Sequence, residues 1–584
     1  MTGVRRWALQ WSRPGYALFL ALLVVAPLLR PGYLLLRDAV STPRSYLSDT
    51  ALGLTAAPRA TPQDFAVALA SHLVDGGIVV KVLLVLGLWL AGWGAARLVA
   101  TALPSAGVGG QFVAITLAIW NPYVAERLLQ GHWSLLVGYG CLPWVATTML
   151  TMRSADDTGW LGFFGLAFWI ALAGLTPTGL MLAAVVALVC VAVPVEGPGG
   201  PRPRWLCAAA TLGGALVAAL PWLTAAWVGS SLTAHTAANA LGVTAFAPRA
   251  EPGLGTLASL ASLGGIWNGE AVPSSRATLF AVSSAAVLLG VVVTGLPAIA
   301  RRPAVVPLLA LAAVSVVLPA ALATGPGLHV LSALVDAAPG FGVLRDGQKW
   351  VALAVPGYAL AGAGAVVTLR RWLGPLRPLG PTVAALVCCL ALILALPDLA
   401  WGVWGKVQPV HYPPGWAAVA AAINANPGPV AVLPAGTMRQ FSWSGPVLDP
   451  LPRWVRADVL TTGDLAISGL TVPGEGKHAR AVQDLLLAGS DPSVLAPAGV
   501  AWLVVESDTP GDLGMAARTL DGLTPTYCDH EFALYRIGGE SAGTPPARVR
   551  ATVIAHLAWL AMLIVGGVGA LLTGARRRAL GRSR

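Results

Sequence analysis

YLLLRDAVSTPRSYLSDT, residues 33–50, follows the first apolar run of the chain and places two carboxylates, Asp38 and Asp49, beside Arg37 and Arg44. Asp38 stands two residues past the end of that run at Leu36, and Asp49 lies one short loop later. At the edge of a membrane, partial desolvation raises a carboxyl pKa and a nearby cation lowers it, so protonation becomes adjustable. This permits two readings. The charges are a flank that stops the first helix from sliding into lipid, or one of them is a general base held at the bilayer surface.

The remainder of the chain fixes the setting. It has 584 residues, of which 56% are hydrophobic and 11% charged, with a mean hydropathy of +0.72. That excludes an ordinary soluble protein. The net charge of +11 comes from short basic clusters between apolar runs, a topology signal and no sign of a nucleic-acid partner. Cys141, Cys190, Cys207, Cys388 and Cys389 fall in apolar runs and Cys528 stands alone, so neither a disulfide framework nor zinc spacing is present. No small-residue cleavage site follows the first run, and it is expected to remain as a span.

Apolar runs able to cross roughly 30 Å of hydrocarbon lie at about 15–36, 77–100, 105–120, 134–152, 160–175, 177–195, 206–226, 277–299, 304–324, 350–369, 381–397 and 553–574. With the N-terminus cytoplasmic, the inner connections receive Arg97, Arg153, Arg202, Arg204, Arg301, Arg302, Arg370, Arg371, Arg377 and the basic tail. Both termini then lie inside. The first outer loop, 37–76, breaks the trend, because Arg30, Arg37, Arg44 and Arg59 fall where cations are scarce. Lipid headgroups or a phosphorylated substrate would explain them, since the guanidinium fork suits either. Lys81, one turn below the outer end of the second span, snorkels toward the same surface. Within the loop, Phe65, Leu69, Leu73 and Val74 share one stripe, which predicts a helix lying flat on the interface.

Further polar clusters stand next to apolar runs. In NPYVAERLLQGHW, residues 121–133, Pro122 starts a short helix capped by Asn121, which carries Tyr123, Glu126, Arg127 and Gln130, with His132 and Trp133 after a Gly131 break. These residues line a site, or form an interfacial belt in which Trp120, Tyr123, Trp133 and Trp144 set depth. Residues 227–276, with His235, Arg249, Glu251, Trp267, Asn268 and Glu270, are expected to be a mobile cover over a cleft. GFGVLRDGQKW, residues 340–350, crowds Arg345, Asp346, Gln348 and Lys349 against a helix start. Asp346 pairs locally and caps the helix, or the group forms a polar rim for phosphate or sugar hydroxyls. Residues 398–552 alternate helical and strand-like runs, the pattern of a small α/β layer. Trp416, Trp443 and Trp454 there stack on a sugar or pack the domain.

This layout, with the runs GYLLLRDAV, ALGL, NPYVAERLLQGHW, LPW and LRDGQKW, resembles the GT-C class of integral-membrane glycosyltransferases and a group of actinobacterial membrane proteins of the same plan. The resemblance implies a polytopic α-helical membrane protein of about 12 transmembrane helices. It has a GT-C-like module over 1–397, an extracytoplasmic α/β domain over 398–552, and a last helix with a basic tail over 553–584. It implies transfer of a sugar from a polyprenyl-phosphate donor to a cell-envelope glycan or lipoglycan acceptor at the outer face of the plasma membrane. Asp38 matches the acidic position after the first span, with Asp49 second. Many GT-C enzymes carry adjacent acids, whereas ten residues separate these two.

In such a reaction Asp38 or Asp49 takes the acceptor proton, and Arg37, Arg44, Arg127, Arg345 and Lys349 face the departing phosphate. Lys81, Asn121, Glu126, His132, Asp346 and Gln348 complete the expected binding set. A phosphate leaving group requires no metal, although a divalent cation is compatible with it, and the sequence shows no acidic ligand cluster. The rivals are a flippase or transporter of a lipid-linked glycan and a non-catalytic scaffold of an envelope-assembly complex. Apart from Lys81, Arg97 and His556 the apolar runs are nearly free of ionisable groups, which disfavours a proton-coupled carrier.

Overall fold

The computed structural model describes residues 2–55, 60–153, 159–194, 202–229, 239–372, 380–467, 470–474, 476–540 and 543–582. Arg59, His235 and Arg377 lie outside them. Lipid offers no partner to a backbone N–H or C=O, so the apolar runs close their hydrogen bonds internally as helices. Among the described residues seven helices are long and apolar enough to cross a membrane: Trp11–Leu29, Gly76–Ala102, Trp133–Arg153, Arg204–Gly229, Phe280–Ile299, Gly347–Trp372 and Pro546–Ala575. Two bent pairs, Val306–Leu322 with Gly325–Ala337 (94°) and Gly380–Ala395 with Pro397–Gly405 (72°), bring the number to nine. The chain is a multi-pass membrane protein.

Three of the twelve expected spans are shorter helices among the described residues. Gly107–Ile119, Gly159–Ala173 and Pro177–Val191 have 13, 15 and 15 residues, and at about 1.5 Å per residue they reach only ~20 Å. The break at TPTG is a true helix start, because Pro177 occupies the first turn and Thr176 Oγ1 accepts from the Gly179 amide at 3.0 Å. The first span also ends earlier than 36. Its helix stops at Val25, a 3-10 turn covers Ala26–Leu29, and Pro27 and the Pro31–Gly32 pair prevent continuation.

Beyond the first span the chain turns to strand. β1 (Tyr33–Leu36) turns back into β2 (Ala39–Val40) with Leu35 opposite Val40, and on its other side pairs with β3 (Pro409–Val410), Tyr33 opposite Val410. The first loop is thus a sheet partner of the segment that opens the α/β unit. That unit contains β4 (Val430–Leu433), the hairpin β5 (Met438–Phe441) and β6 (Gly445–Leu448), the hairpin β7 (Leu465–Ile467) and β8 (Leu470–Val472), then β9 (Trp502–Glu506), β10 (Pro525–Cys528) and β11 (Phe532–Arg536). Its main sheet has the order β10-β11-β9-β4, with β4 parallel to β9 and the other pairs antiparallel. Helices Pro414–Ala425 and Lys477–Leu487 cover it, among the helical runs expected within 398–552.

Leu35 and Val40 from the first loop enter the core of this unit beside Trp416, Val447 and Trp454. Trp416, Trp443 and Trp454 therefore serve packing. Trp416 and Trp454 are buried, and Trp443 stacks on Phe441 with ring centroids 5.1 Å apart. The helix expected to lie flat on the interface, Gln63–Ala70, is docked instead. Phe65 is buried against His556, Asp64 pairs with Arg453 at 3.1 Å, and only Leu73 and Val74 of the apolar stripe remain exposed. The described part of 227–276 is likewise anchored, because Arg276 forms a buried ion pair with Glu251 and the Ser275 amide donates to Asp398 at 2.8 Å.

Candidate functional site

The β1–β2 turn carries Arg37 and Asp38, and three elements fix it. The Arg37 amide donates to Pro446 O (2.7 Å), its carbonyl accepts from the Leu448 amide (2.8 Å), and the Asp38 amide donates to Gln130 O (3.1 Å). Arg37 has φ +50°, in the left-handed region that costs a residue with a Cβ roughly 1–2 kcal/mol. Its guanidinium offsets this by donating to Leu129 O at 2.7 Å and Glu270 O at 3.0 Å. The turn packs directly on Gly131 (φ +84°), where a Cβ would meet Ala39 N and Leu36 O at 2.3 Å each. Glycine is required there.

Asp38 faces a cavity of about 1070 Å³ lined also by Arg37, Gln130, His132, Arg249, Asn268, Glu270, Arg345, Asp346 and Lys349. The α/β unit supplies the opposite wall, including Met438, Arg439, Leu448, Arg453, Gly463 and Gly474. Asp38 Oδ2 accepts from His132 Nε2 (2.9 Å) and Gln130 Nε2 (3.0 Å), while the Asp38 side chain keeps 36% of its exposure. Burial pushes this carboxyl up, but the hydrogen bonds from His132 and Gln130 and the charge of Lys349 hold it below its usual value.

His132 also counts as a cation in that balance, yet its own pKa lies below the usual histidine value. Burial lowers it most, the bond to Asp38 raises it, and the charges of Lys349 and Arg127 lower it further. The neighbour at its other nitrogen decides between the two. Arg127 Nη1 stands 3.2 Å from His132 Nδ1, and a guanidinium only donates. His132 is therefore the neutral Nε2–H tautomer, donating to Asp38 and accepting from Arg127. Lys349 and the two N–H donors keep Asp38 ionised.

Behind the cavity wall, Arg127 is fully buried and bidentate with Asp346, both bonds 2.8 Å. It also donates to Gln348 Oε1, and Gln348 Nε2 donates to Glu126 Oε2 at 2.9 Å. Burial pushes Asp346 up, but the Arg127 and Lys349 charges hold it well below the carboxylate range. Glu126 accepts from the Gly265 and Ile266 amides, both at 3.2 Å. Burial first, then the Glu251 charge, push Glu126 well above its usual value. One continuous network therefore runs from Asp38 through His132, Arg127 and Gln348 to Glu126 and the 263–270 backbone.

The structure sorts the expected site residues into three groups. Arg37, Asp38, His132, Arg345, Asp346 and Lys349 line the cavity. Glu126, Arg127 and Gln348 stand behind it as buried support. Asp49, Arg44, Lys81 and Asn121 lie elsewhere: Asp49 accepts from Thr544 Oγ1 (2.6 Å), Arg44 contacts His72, Lys81 donates to Arg30 O (2.8 Å), and Asn121 caps its helix. Arg249 and Asn268, from the segment expected to cover a cleft, also line the cavity, and Arg439 and Arg453 join it without a local motif to announce them. Among the described residues no three His, Cys, Asp or Glu side chains converge as a metal site.

No protein-family model and no curated protein matches the chain. Solved structures do. Over 92% of its length the chain superposes on arabinofuranosyltransferase AftD from Mycobacteria with a TM-score of 0.59 and 16% identity. The fold is that of the GT-C class. A mutant form of the same enzyme gives a TM-score of 0.56 at 17% identity, again over 92% of this chain. The chain spans 40% of the mycobacterial enzyme's length. The GT-C plan expected from GYLLLRDAV and NPYVAERLLQGHW is therefore present in the fold, and these runs supply Asp38 and its partners Gln130 and His132.

Proposed function

We propose that the protein is a membrane glycosyltransferase. It transfers a sugar from a polyprenyl-phosphate donor to a cell-envelope glycan or lipoglycan acceptor, at a cavity on the outer face of the membrane. One observation carries this: a carboxylate, Asp38, opens into a cavity whose walls hold Arg37, Arg249, Arg345 and Lys349. A nucleophile's proton and a departing phosphate need such a pairing of base and cations. The α/β unit roofs the cavity, so the two share one side of the membrane, the extracytoplasmic side in this reading.

In this reaction the acceptor hydroxyl oxygen forms a bond to the anomeric carbon as its proton passes to Asp38. The bond from that carbon to the phosphate oxygen breaks, and the electron pair leaves with the lipid phosphate, beside the cations. The hydrogen bonds from His132 and Gln130 hold this carboxylate low and weaken it as a base, but an incoming phosphate brings negative charge beside it and shares the Lys349 charge. Donor binding thus raises Asp38 toward its working range. His132, fixed by Arg127, orients Asp38 and carries no net charge.

The test is transfer of a radiolabelled sugar from a panel of decaprenyl-phosphate donors by the full chain in lipid nanodiscs. Wild type and Asp49→Asn transfer, and Asp38→Asn does not while remaining folded. Wild type that binds donor without transfer or hydrolysis, or an Asp38→Asn protein as active as wild type, overturns the proposal.

A further inference from the structure

Arg44 and Arg456 do not line the cavity, yet both lie against one ring. Their guanidinium carbons lie 5.5 and 5.2 Å from the centre of the same Tyr46 ring. Among the described residues neither forms an ion pair with a carboxylate, and Arg44 Nη2 instead stands 2.6 Å from the His72 ring nitrogens. Each guanidinium draws on the ring's π face and neither is neutralised by a carboxylate, so both keep their charge for an anion at this surface. One arginine comes from the first loop and the other from the α/β unit, so an anion that engages both would join the two.

The adjoining surface identifies the anion. Leu47 and Leu73 follow Tyr46 and His72 in sequence, and with Val74 they are exposed, Leu73 at 90%. Val74, Ile78 and Val82, spaced by four, are all exposed, and the last two lie on the membrane-crossing helix Gly76–Ala102. This lipid-facing stripe rises to Leu73 and Val74, which places Arg44 and His72 at headgroup depth. A soluble anion has no use for the apolar ledge, whereas a phospholipid uses both parts.

We propose that Arg44 and Arg456, stacked on Tyr46, bind the phosphate headgroup of an anionic phospholipid whose acyl chains lie on Leu47, Leu73 and Val74. The lipid clips the α/β unit to the membrane surface, at a site separate from the Asp38 cavity and independent of the reaction proposed there.

The full chain carrying Leu73→p-benzoylphenylalanine is placed in nanodiscs of equal phosphatidylglycerol and phosphatidylcholine, irradiated, digested, and its lipid adducts weighed. Adducts enriched in phosphatidylglycerol are expected, with the enrichment falling about fivefold for each of Arg44→Gln and Arg456→Gln. Phosphatidylcholine adducts continue in those variants and report that the surface is still folded. The proposal is overturned by the absence of lipid adducts, or by an enrichment that survives both substitutions. It is also overturned if inorganic phosphate at constant ionic strength abolishes the enrichment, which would identify a soluble anion as occupant.

Discussion

Arg127→Met separates positioning from stability at the candidate site. The guanidinium makes two 2.8 Å bonds to Asp346, a further bond to Gln348, and the contact that sets the His132 tautomer, all without exposure to solvent. Breaking a buried ion pair by removing one partner costs about 3–5 kcal/mol, because the remaining charge is stranded. Here Lys349 Nζ stays 3.6 Å from Asp346, and Asp346 borders the cavity. The loss therefore falls at the lower end, about 3 kcal/mol. Arg127→Met/Asp346→Leu removes both charges and returns stability to within about 1–2 kcal/mol of wild type. The midpoint of unfolding by SDS in mixed micelles measures both. Sugar transfer stays low in the double variant, since His132 Nδ1 has lost the Arg127 donor that holds the ring in place against Asp38. A single variant within about 1 kcal/mol of wild type, or a double variant no more stable than the single, refutes the reasoning.

Asp38→Asn lowers transfer by about 10²–10⁴-fold while Asp49→Asn leaves it unchanged, measured as initial rates on the same donor. Gly131→Ala places a Cβ 2.3 Å from the backbone of the β1–β2 turn at φ +84°; it destabilises the protein by about 1–3 kcal/mol and displaces Asp38, seen as a transfer loss that added acceptor does not restore. In the α/β unit, Arg439 faces both Asp449 and Glu506, and burial followed by the Asp449 charge raises Glu506 to about 8. A folded pKa above the unfolded one gives stability that is full below about 4.5 and lost as pH rises through about 8. Glu506→Gln flattens that loss in unfolding midpoints recorded between pH 5 and 9, and an unchanged slope contradicts the assignment.

Much of the membrane part was legible because long runs of Ala, Leu and Val admit one solution in lipid. The Asp38 neighbourhood was legible in pieces: a carboxylate after the first span, a polar turn of helix at 121–133, and the charged cluster at 345–349. Joining them was not. Arg127 and Asp346 are 219 residues apart, and nothing in either local sequence selects the other. Asp49 shows the converse. Its loop has the composition of Asp38's, but Ser48 caps a short helix there, and the carboxylate is used by Thr544. The arginines at 439 and 453 are the least legible, since they reach the cavity only through the tertiary placement of the β5–β6 hairpin and of the short helix Leu451–Trp454 after it.

That hairpin ties Asp38 to the α/β unit more closely than its place in the first loop implies. Arg37 is bonded through both its amide and its carbonyl to Pro446 and Leu448, β1 is paired to β3, and Leu35 and Val40 are buried in that unit's core. Each contact is main chain or apolar, so none depends on a bound substrate. The remaining support, Gln130 and Gly131, comes from the membrane module. A left-handed residue at Arg37 persists only where its surroundings over-determine it, and here two separate bodies of structure do so. Shifting the α/β unit relative to the helices would therefore move the carboxylate relative to Lys349 and Arg345, which belong to the membrane module alone. The distance between base and cations is set by how that unit sits, and the β1–β3 pairing is the joint at which a substitution far from the cavity alters chemistry within it.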